Sequence, residues 1–361
     1  MPRPEPLVLA INPGSTSTKL GLFRGAAQEW AATIPHGDDL LAEYRGRPIA
    51  EQLDMRTAEC EAALAERDVA PASLAAVVGR GGLLASLPSG TYRVDERMIA
   101  DLRTAARGEH AANLGALIAA RIAARAGCEA YIVDPVCVDE WEPVARLSGL
   151  AGLDRESLSH ALNTKAIAKR YAREVGRDYA ELRLVVVHCG SGTTVSAHRD
   201  GRMVDACNAR EEGPFSMERA GGVPAMKLVA LATSPGASFA ELERRLFREG
   251  GVYSYLGTRD LREVLTRIHA GDQTAALVLD ALLYQTAKEA GAMAAVLEGR
   301  VDAVLLTGGM MHANAVAEAL AKRVRWIAPV RAYPGEDELR ALAEGAVRVL
   351  HGEEPARTYP G

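Results

Sequence analysis

Apolar residues fall along the chain in two kinds of grouping. Short apolar runs at 7–11, 20–23, 75–78, 130–133, 184–188, 193–198, 301–307 and 324–328 predict strands. Between most of them lie longer stretches with helical spacing, at 98–107, 110–125, 158–174, 225–232, 239–248, 260–270, 274–297, 313–323 and 336–350. Asp272 stands where an N-cap would open the longest of these, and Gly299 where it would close. Strands alternating with helices place the chain in the α/β class.

The pattern also repeats. AINPGSTSTKLGLFRG near the start is echoed by VVHCGSGTTVSAHRDGRMVD, with Asn12 and His188 in matching places 176 positions apart. Each copy reads apolar strand, turn of glycine and hydroxyl residues, second strand, polar bend. In the second copy Arg199-Asp200-Gly201 is a hairpin signal leading into a third strand. A hairpin opening each half predicts two duplicated domains facing one another. The expected domains are 1–150 and 151–338, with the last segment, 339–361, able to pack back on the first.

At 361 residues the chain has room for two cores, and 48% hydrophobic with 25% charged residues describes a globular protein. A net charge of −5 gives no basic surface for nucleic acid. Only six of the 42 basic residues are lysine, which makes Lys19 in the first hairpin unusual. Five cysteines with no C-x-x-C pair read as structural thiols in a reducing compartment rather than a disulfide or zinc framework. The apolar start is too short for a signal peptide, and no run approaches the roughly 18 residues of a membrane span. The expectation is a cytoplasmic protein without membrane partners.

The turns carry the candidate chemistry. Glycine and small hydroxyl residues between two strands offer backbone N–H groups and hydroxyl donors to phosphate oxygens, and Lys19 adds positive charge. A solvated β-turn would explain the same letters, but two matched hairpins strengthen the phosphate reading. Neither turn is a P-loop, since G-x-x-x-x-G-K-[ST] is absent and each leads into a strand. A third turn, VLLTGGMMHAN, sets Gly308 and Gly309 between a strand and a helix, where a ring or ribose could lie on the backbone.

Seven fragments together resemble the butyrate kinase branch of the acetate kinase family, within the sugar kinase/Hsp70/actin superfamily. They are NPGSTSTK, VVGRGGL, VDPVCVDEWEPVARLSG, SHALNTKAIAKR, EGPFSMERAGGVP, TGGMMHAN and YPGEDELRALAEGA, in family order over nearly the whole chain. The resemblance implies two RNase H-like (actin-like ATPase) domains flanking a central cleft. It implies reversible in-line phosphoryl transfer from ATP to a short-chain carboxylate, giving ADP and an acyl phosphate, with Mg2+, in a homodimer or larger assembly. Acetate or propionate kinase activity within the same family is the alternative. A further alternative is a sugar-kinase-like or non-catalytic superfamily member, but no aspartate is evident as base for a neutral hydroxyl acceptor.

By the same resemblance Arg80, Asp134, His160 and Arg219 are catalytic. Both arginines would hold the substrate and the transferring phosphoryl group, whose charge the planar guanidinium suits. His160 would donate to developing oxygen charge. Asn12, Ser15, Ser17 and Lys19 form the first phosphate turn, and His188, Gly190, Ser191 and Gly192 the second. Gly308, Gly309 and Asn314 belong to the nucleotide side. Asp337, Glu336 and Asp134 are the acids matched to magnesium, with Glu338 in the same cluster; a plain acidic helix start would also explain them. Three departures stand out: Ser191 replaces a glycine, the loop NAREEGPFSMER is one residue short with Met217 in place of proline, and Ser159 replaces an aromatic of acetate kinases. A small Ser159, if it lines the acyl pocket, would favour acids of three to five carbons.

Overall fold

The computed structural model describes residues 4–208 and 210–361, and the chain separates into two compact units, one ending at Asp139 and completed by Asp337–Gly361, the other Glu140–Glu336. The divisions expected from the sequence were at 150 and 338. In the first unit, strands β1 (Leu7–Pro13), β2 (Ser17–Arg24), β3 (Ala27–Pro35), β4 (Ala76–Arg80), β5 (Thr91–Arg93) and β6 (Glu129–Val133) form one sheet in the order β3-β2-β1-β4-β6-β5. Its helices are α1 (Asp38–Ala42), α2 (Leu53–Ala65), α3 (Glu96–Thr104), α4 (Asn113–Ala126) and, from the C-terminus, α12 (Glu338–Leu350).

In the second unit β7 (Leu184–Cys189), β8 (Thr193–Arg199), β9 (Arg202–Ala206), β10 (Ala303–Gly308) and β11 (Val330–Pro334) order as β11-β10-β7-β8-β9. Helices α5 (Ala161–Val175), α6 (Ala225–Ala232), α7 (Phe239–Phe247), α8 (Gly251–Leu256), α9 (Leu261–His269), α10 (Gln273–Val296) and α11 (Asn314–Val324) complete it. Both sheets therefore share one plan, three antiparallel strands and then two parallel to the first, and the first sheet adds β5 antiparallel to β6 at its edge. This is the duplicated RNase H-like architecture. The second strands of the two units begin 176 positions apart, at Ser17 and Thr193, the same offset that relates Asn12 to His188.

Period-two burial explains how each sheet is covered. In β7 the side chains of Val185, Val187 and Cys189 join the core with α8, α9, α10 and α11, while Leu184 and Val186 pack on the other face with Ile167, Ala168 and Ala172 of α5. β1 is buried along its whole length, with α12 and α4 packed against it. The β8–β9 hairpin closes on Asp200 and Gly201, at φ 54° and 71°, the left-handed pair that a two-residue type I′ turn needs.

Several elements depart from the sequence expectation. Residues 324–328 form no strand: Val324 is the last residue of α11, buried in line with Val316 and Leu320, and the strand is β11, further on. β11 and β3 are edge strands whose side chains are mostly exposed or half-buried, so their apolar signal is weak. α2 went unpredicted because its buried face includes Arg56 and Thr57.

The ends of the parallel strands are set by backbone contact. A Cβ on Gly79 of β4 would lie 2.1 Å from the Gly115 carbonyl oxygen of α4, and one on Gly115 would lie 2.3 Å from that of Arg80. Substituting Gly115→Ala should push α4 off the end of β4 and cost about 1–3 kcal/mol, as overpacking generally does. A urea melt should show the midpoint falling, and an unchanged midpoint would contradict this packing.

Candidate active site

In open sheets, ligands bind beyond the carboxyl ends of the parallel strands. In the first unit those ends are Asn12-Pro13 of β1, Arg80 of β4 and Val133-Asp134 after β6. Asn12 Nδ2 donates to Glu338 Oε2 at 2.5 Å, and Arg80 Nη1 pairs with the same oxygen at 2.9 Å while lying 3.4 Å from Asn12 Oδ1. Glu338 opens α12 and its side chain is 9% exposed, against 21% for Arg80. Its carboxylate thus binds the two strand-end residues from a helix N-terminus that also favours its charge. Lys19 lies directly opposite Asn12 across β1 and β2, so both project from one face. Lys19 is exposed, as is Ser15, and Ser17 is half-buried.

Asp134 is buried and left-handed at φ 37°. Its Oδ1 accepts from Ser89 Oγ at 2.6 Å and from the Gly90 N–H at 2.8 Å. It follows Val133, which pairs with Arg80 across β6 and β4, so it stands at the same end of the sheet.

In the second unit the candidates converge on the turn 190–192. A Cβ on Gly192 would meet Arg219 Nη1 at 2.9 Å and His160 Cε1 at 3.2 Å, and one on Gly190 would meet Glu336 Oε1 at 2.9 Å and His188 Nε2 at 3.3 Å. The rings of His160 and His188 stack with centroids 4.1 Å apart. His160 Nδ1 bonds Thr194 Oγ1 at 2.8 Å. Asn163 of α5 donates its Nδ2 to the Glu336 carbonyl at 3.1 Å, which turns its Oδ1 toward His188 Nδ1 at 2.9 Å. That orientation makes Nδ1 a donor to Asn163 and aims Nε2 at the turn, 3.4 Å from Glu336 Oε1.

Ser216 fastens Arg219 to this turn. Its hydroxyl donates to the Ser191 carbonyl at 2.5 Å and accepts from the Arg219 N–H at 3.2 Å. Met217 is buried in the core, and a Cβ on Gly251 would lie 2.0 Å from the Ser216 carbonyl oxygen, so the loop is held from behind. Ala209, within the shortened loop, lies outside the described residues. Burial pulls the Arg219 guanidinium below the ordinary arginine range, yet arginine stays cationic in proteins.

The third turn abuts the second. Gly308, at φ 96°, has no room for a Cβ, which would sit 2.2 Å from the Cys189 carbonyl oxygen, whereas nothing lies within 4 Å of one on Gly309. Gly308 exchanges backbone hydrogen bonds with Gly335, which places Glu336. Asn314 is exposed at the start of α11. Of the acid cluster, then, Glu338 lies with Arg80 and Glu336 beside the second turn, while Asp337 is exposed and bonded to Arg340 at 2.8 Å. Ser159 is buried with its hydroxyl toward the Met203 sulfur, 3.8 Å away, so its small side chain makes room for Met203. The thiol of Cys189, next to the turn, is pushed up to about 12 by burial and supplies no thiolate.

Sequence reasoning had not singled out Asn163, Thr194, Ser216 or Arg56. Asn163 and Ser216 sit within the motif fragments and Thr194 within the second hairpin copy; Arg56 lies outside them all, and no local signal marks it.

The chain is 47% identical over 353 residues to butyrate kinase 1 of Clostridium acetobutylicum, covering 98% of this chain and 99% of that protein. This chain belongs to the acetate kinase family. The acetokinase family profile matches residues 155–327. A probable butyrate kinase 2 from Caldanaerobacter subterraneus is 45% identical over 98% of this chain and 99% of its own. The acetate kinase fold extends to solved structures of low identity. Porphyromonas gingivalis acetate kinase superposes with a TM-score of 0.74 at 18% identity, covering 94% of this chain and 99% of that one. A Francisella tularensis propionate kinase gives 0.73 at 15%, over 94% and 98%.

Ser216→Ala should free the Arg219 loop without unfolding the unit. Hydrogen exchange should accelerate across 216–220 alone, with the melting temperature nearly unchanged; unchanged exchange there would refute the tether.

Proposed function

We propose that this protein is an ATP-dependent kinase of short-chain carboxylates, of the butyrate kinase type, making an acyl phosphate and ADP reversibly by direct transfer. The observation that carries the reading is the convergence of Arg219, His160 and the stacked His188 on the glycine turn 190–192, alongside relatives named butyrate kinase at 44–47% identity. A carboxylate is already ionised and needs no general base, so the protein's task is to position it and offset its repulsion from the phosphoryl group.

In this reading Arg219 and the turn amides hold the γ-phosphoryl oxygens, and His160, fixed through Thr194, donates to charge developing on them. Arg80 binds the acceptor carboxylate, with Glu338 and Asn12 setting the plane of its guanidinium. The turn with Ser15, Ser17 and Lys19 receives ATP phosphates, and Gly309, with open space above it, and Asn314 take the nucleoside side. Asp134, held by Ser89 and Gly90, supports the end of the sheet beside Arg80.

Among the described residues no three His, Cys, Asp or Glu side chains cluster as a metal cage. Mg2+ in phosphoryl transfer needs only one or two carboxylates plus phosphate oxygens. Glu336, 41% exposed and beside Gly190, fits that donor set. Asp337 and Asp134 spend their carboxylates on Arg340, Ser89 and Gly90. Bound at Glu336, Mg2+ would neutralise charge on the ATP phosphates.

The reading extends to a cytoplasmic enzyme, supported by free cysteines and by the absence among the described residues of any helix long and apolar enough to cross a membrane. It also includes a homodimer or larger homo-oligomer, supported by exposed Met226, Val229 and Phe239.

The test is acyl phosphate formation from ATP, trapped as the hydroxamate, over acids from formate to hexanoate. Turnover should peak near four carbons and fall at least about a hundredfold in Arg80→Ala and Arg219→Ala, the scale of losing a charge-stabilising donor. Best turnover of acetate or propionate would transfer the protein to the other substrates of its family. No turnover with any acid would refute the reading.

A further inference from the structure

Arg56 of α2 is fully buried at 0% exposure, an arginine inside a helix–sheet interface. Its Nε and Nη2 both donate to Gln52 Oε1, at 3.0 and 2.8 Å, which fixes the guanidinium plane. The remaining donors reach the first hydroxyl turn. Nη1 donates to the Gly14 carbonyl at 2.8 Å, and lies 3.4 Å from that of Ser17 and 3.3 Å from Thr18 Oγ1. Nη2 donates to the Ser15 carbonyl at 3.2 Å. Every one of these acceptors is neutral.

Thr18 is itself locked, bonding His36 Nε2 at 2.9 Å while His36 Nδ1 faces Glu59 at 2.7 Å. Glu59 is the nearby carboxylate that offsets part of the buried charge, and burial pulls the Arg56 guanidinium below the ordinary arginine range. It remains a cation.

Three inward carbonyls dictate what the outer side of the turn presents. Among the described residues there is no cis peptide, and in a trans peptide the C=O and the following N–H point in opposite directions. With the Gly14 and Ser15 carbonyls drawn inward, the N–H groups of Ser15 and Thr16 face out, where both residues are exposed. Adjacent outward amides over a buried positive charge make an anion-binding concavity. The second turn is built differently: it is one residue shorter, and its Ser191 carbonyl is held by the Ser216 hydroxyl, although in both turns the leading glycine N–H bonds the last carbonyl, Gly14 to Ser17 and Gly190 to Gly192.

We propose that Arg56 is a positioning residue for nucleotide phosphate, touching no substrate but holding the turn 14–17 in the conformation that binds it and adding charge from beneath. The proposal rests on the reading of that turn as a phosphate site. It predicts a defect confined to the nucleotide, since the residues assigned to the carboxylate bond neither Arg56 nor Gln52.

ATP binding to the full-length protein, by calorimetry without any carboxylate, reads the effect directly. Arg56→Met should weaken ATP by at least about tenfold, the loss expected for several charge-assisted hydrogen bonds. Arg56→Lys, which keeps the charge and loses the fork, should fall between wild type and Arg56→Met. Should Arg56→Met fail to fold, Gln52→Leu keeps the charge and frees its plane, and should weaken ATP about threefold or more. In the kinase assay the KM for ATP should rise while that for the carboxylate stays within about twofold. Unchanged ATP affinity in the variants that fold, or equal rises in both KM values, would overturn the proposal. A wild type that binds ATP in an Arg56-dependent way but phosphorylates no acid would sink the carboxylate kinase reading and leave this one standing.

Discussion

The strand ends and turns of both units stand where glycines let backbone or a buried side chain approach closely. A side chain at Gly308 would strike the Cys189 carbonyl, one at Gly79 the Gly115 carbonyl, and one at Gly192 the Arg219 guanidinium. Strand ends packed this closely cannot be covered by their own side chains. They are instead met by charged groups from neighbouring segments: Glu338 from α12, Arg219 from the loop behind Ser216, Glu336 from the bend after β11. The close approach is a steric condition, and the electrostatics of the site follow from it.

The same plan is used twice and spent differently. In each unit the first hairpin ends in a phosphate-like turn, and a helix N-terminus reaches the residue at the end of the first strand: Glu338 of α12 to Asn12, Asn163 of α5 to His188. Each of these helices follows, along the chain, the last long parallel strand of the other unit. The first turn is four residues, rich in hydroxyls and clamped from beneath by a buried arginine. The second is three, glycine-rich, and flanked by two histidines and an arginine. A duplicated scaffold thus yields two turns of different chemistry, one lined by hydroxyls over a buried arginine and one flanked by histidines and an arginine.

Much of this was legible in the letters. The central strands and long helices declare themselves because both faces of β1 and β7 are buried and α10 keeps its apolar spacing over 24 residues. The edge strands β3 and β11 do not, since half-exposed strands carry little apolar signal. The motif fragments pointed to Arg80, which ends β4, and to His160 and Arg219, whose side chains lie against Gly192. They could not separate Glu336, Asp337 and Glu338: neighbours on a helix start point in different directions, and only the packing of α12 decides which carboxylate turns inward. Arg56 was invisible for a related reason. Apart from Gln52, its partners lie about forty residues away and are mostly backbone carbonyls, which leave no trace in composition or spacing.

The central claim is direct transfer of the γ-phosphoryl group of ATP to a carboxylate oxygen. Phosphorus NMR of the wild-type protein with ATP, Mg2+ and butyrate follows every phosphorus at once. The account predicts an acyl phosphate resonance growing in step with ADP, with little inorganic phosphate at early times. Conversion of ATP to ADP and inorganic phosphate alone, at the same rate with and without butyrate, would contradict it.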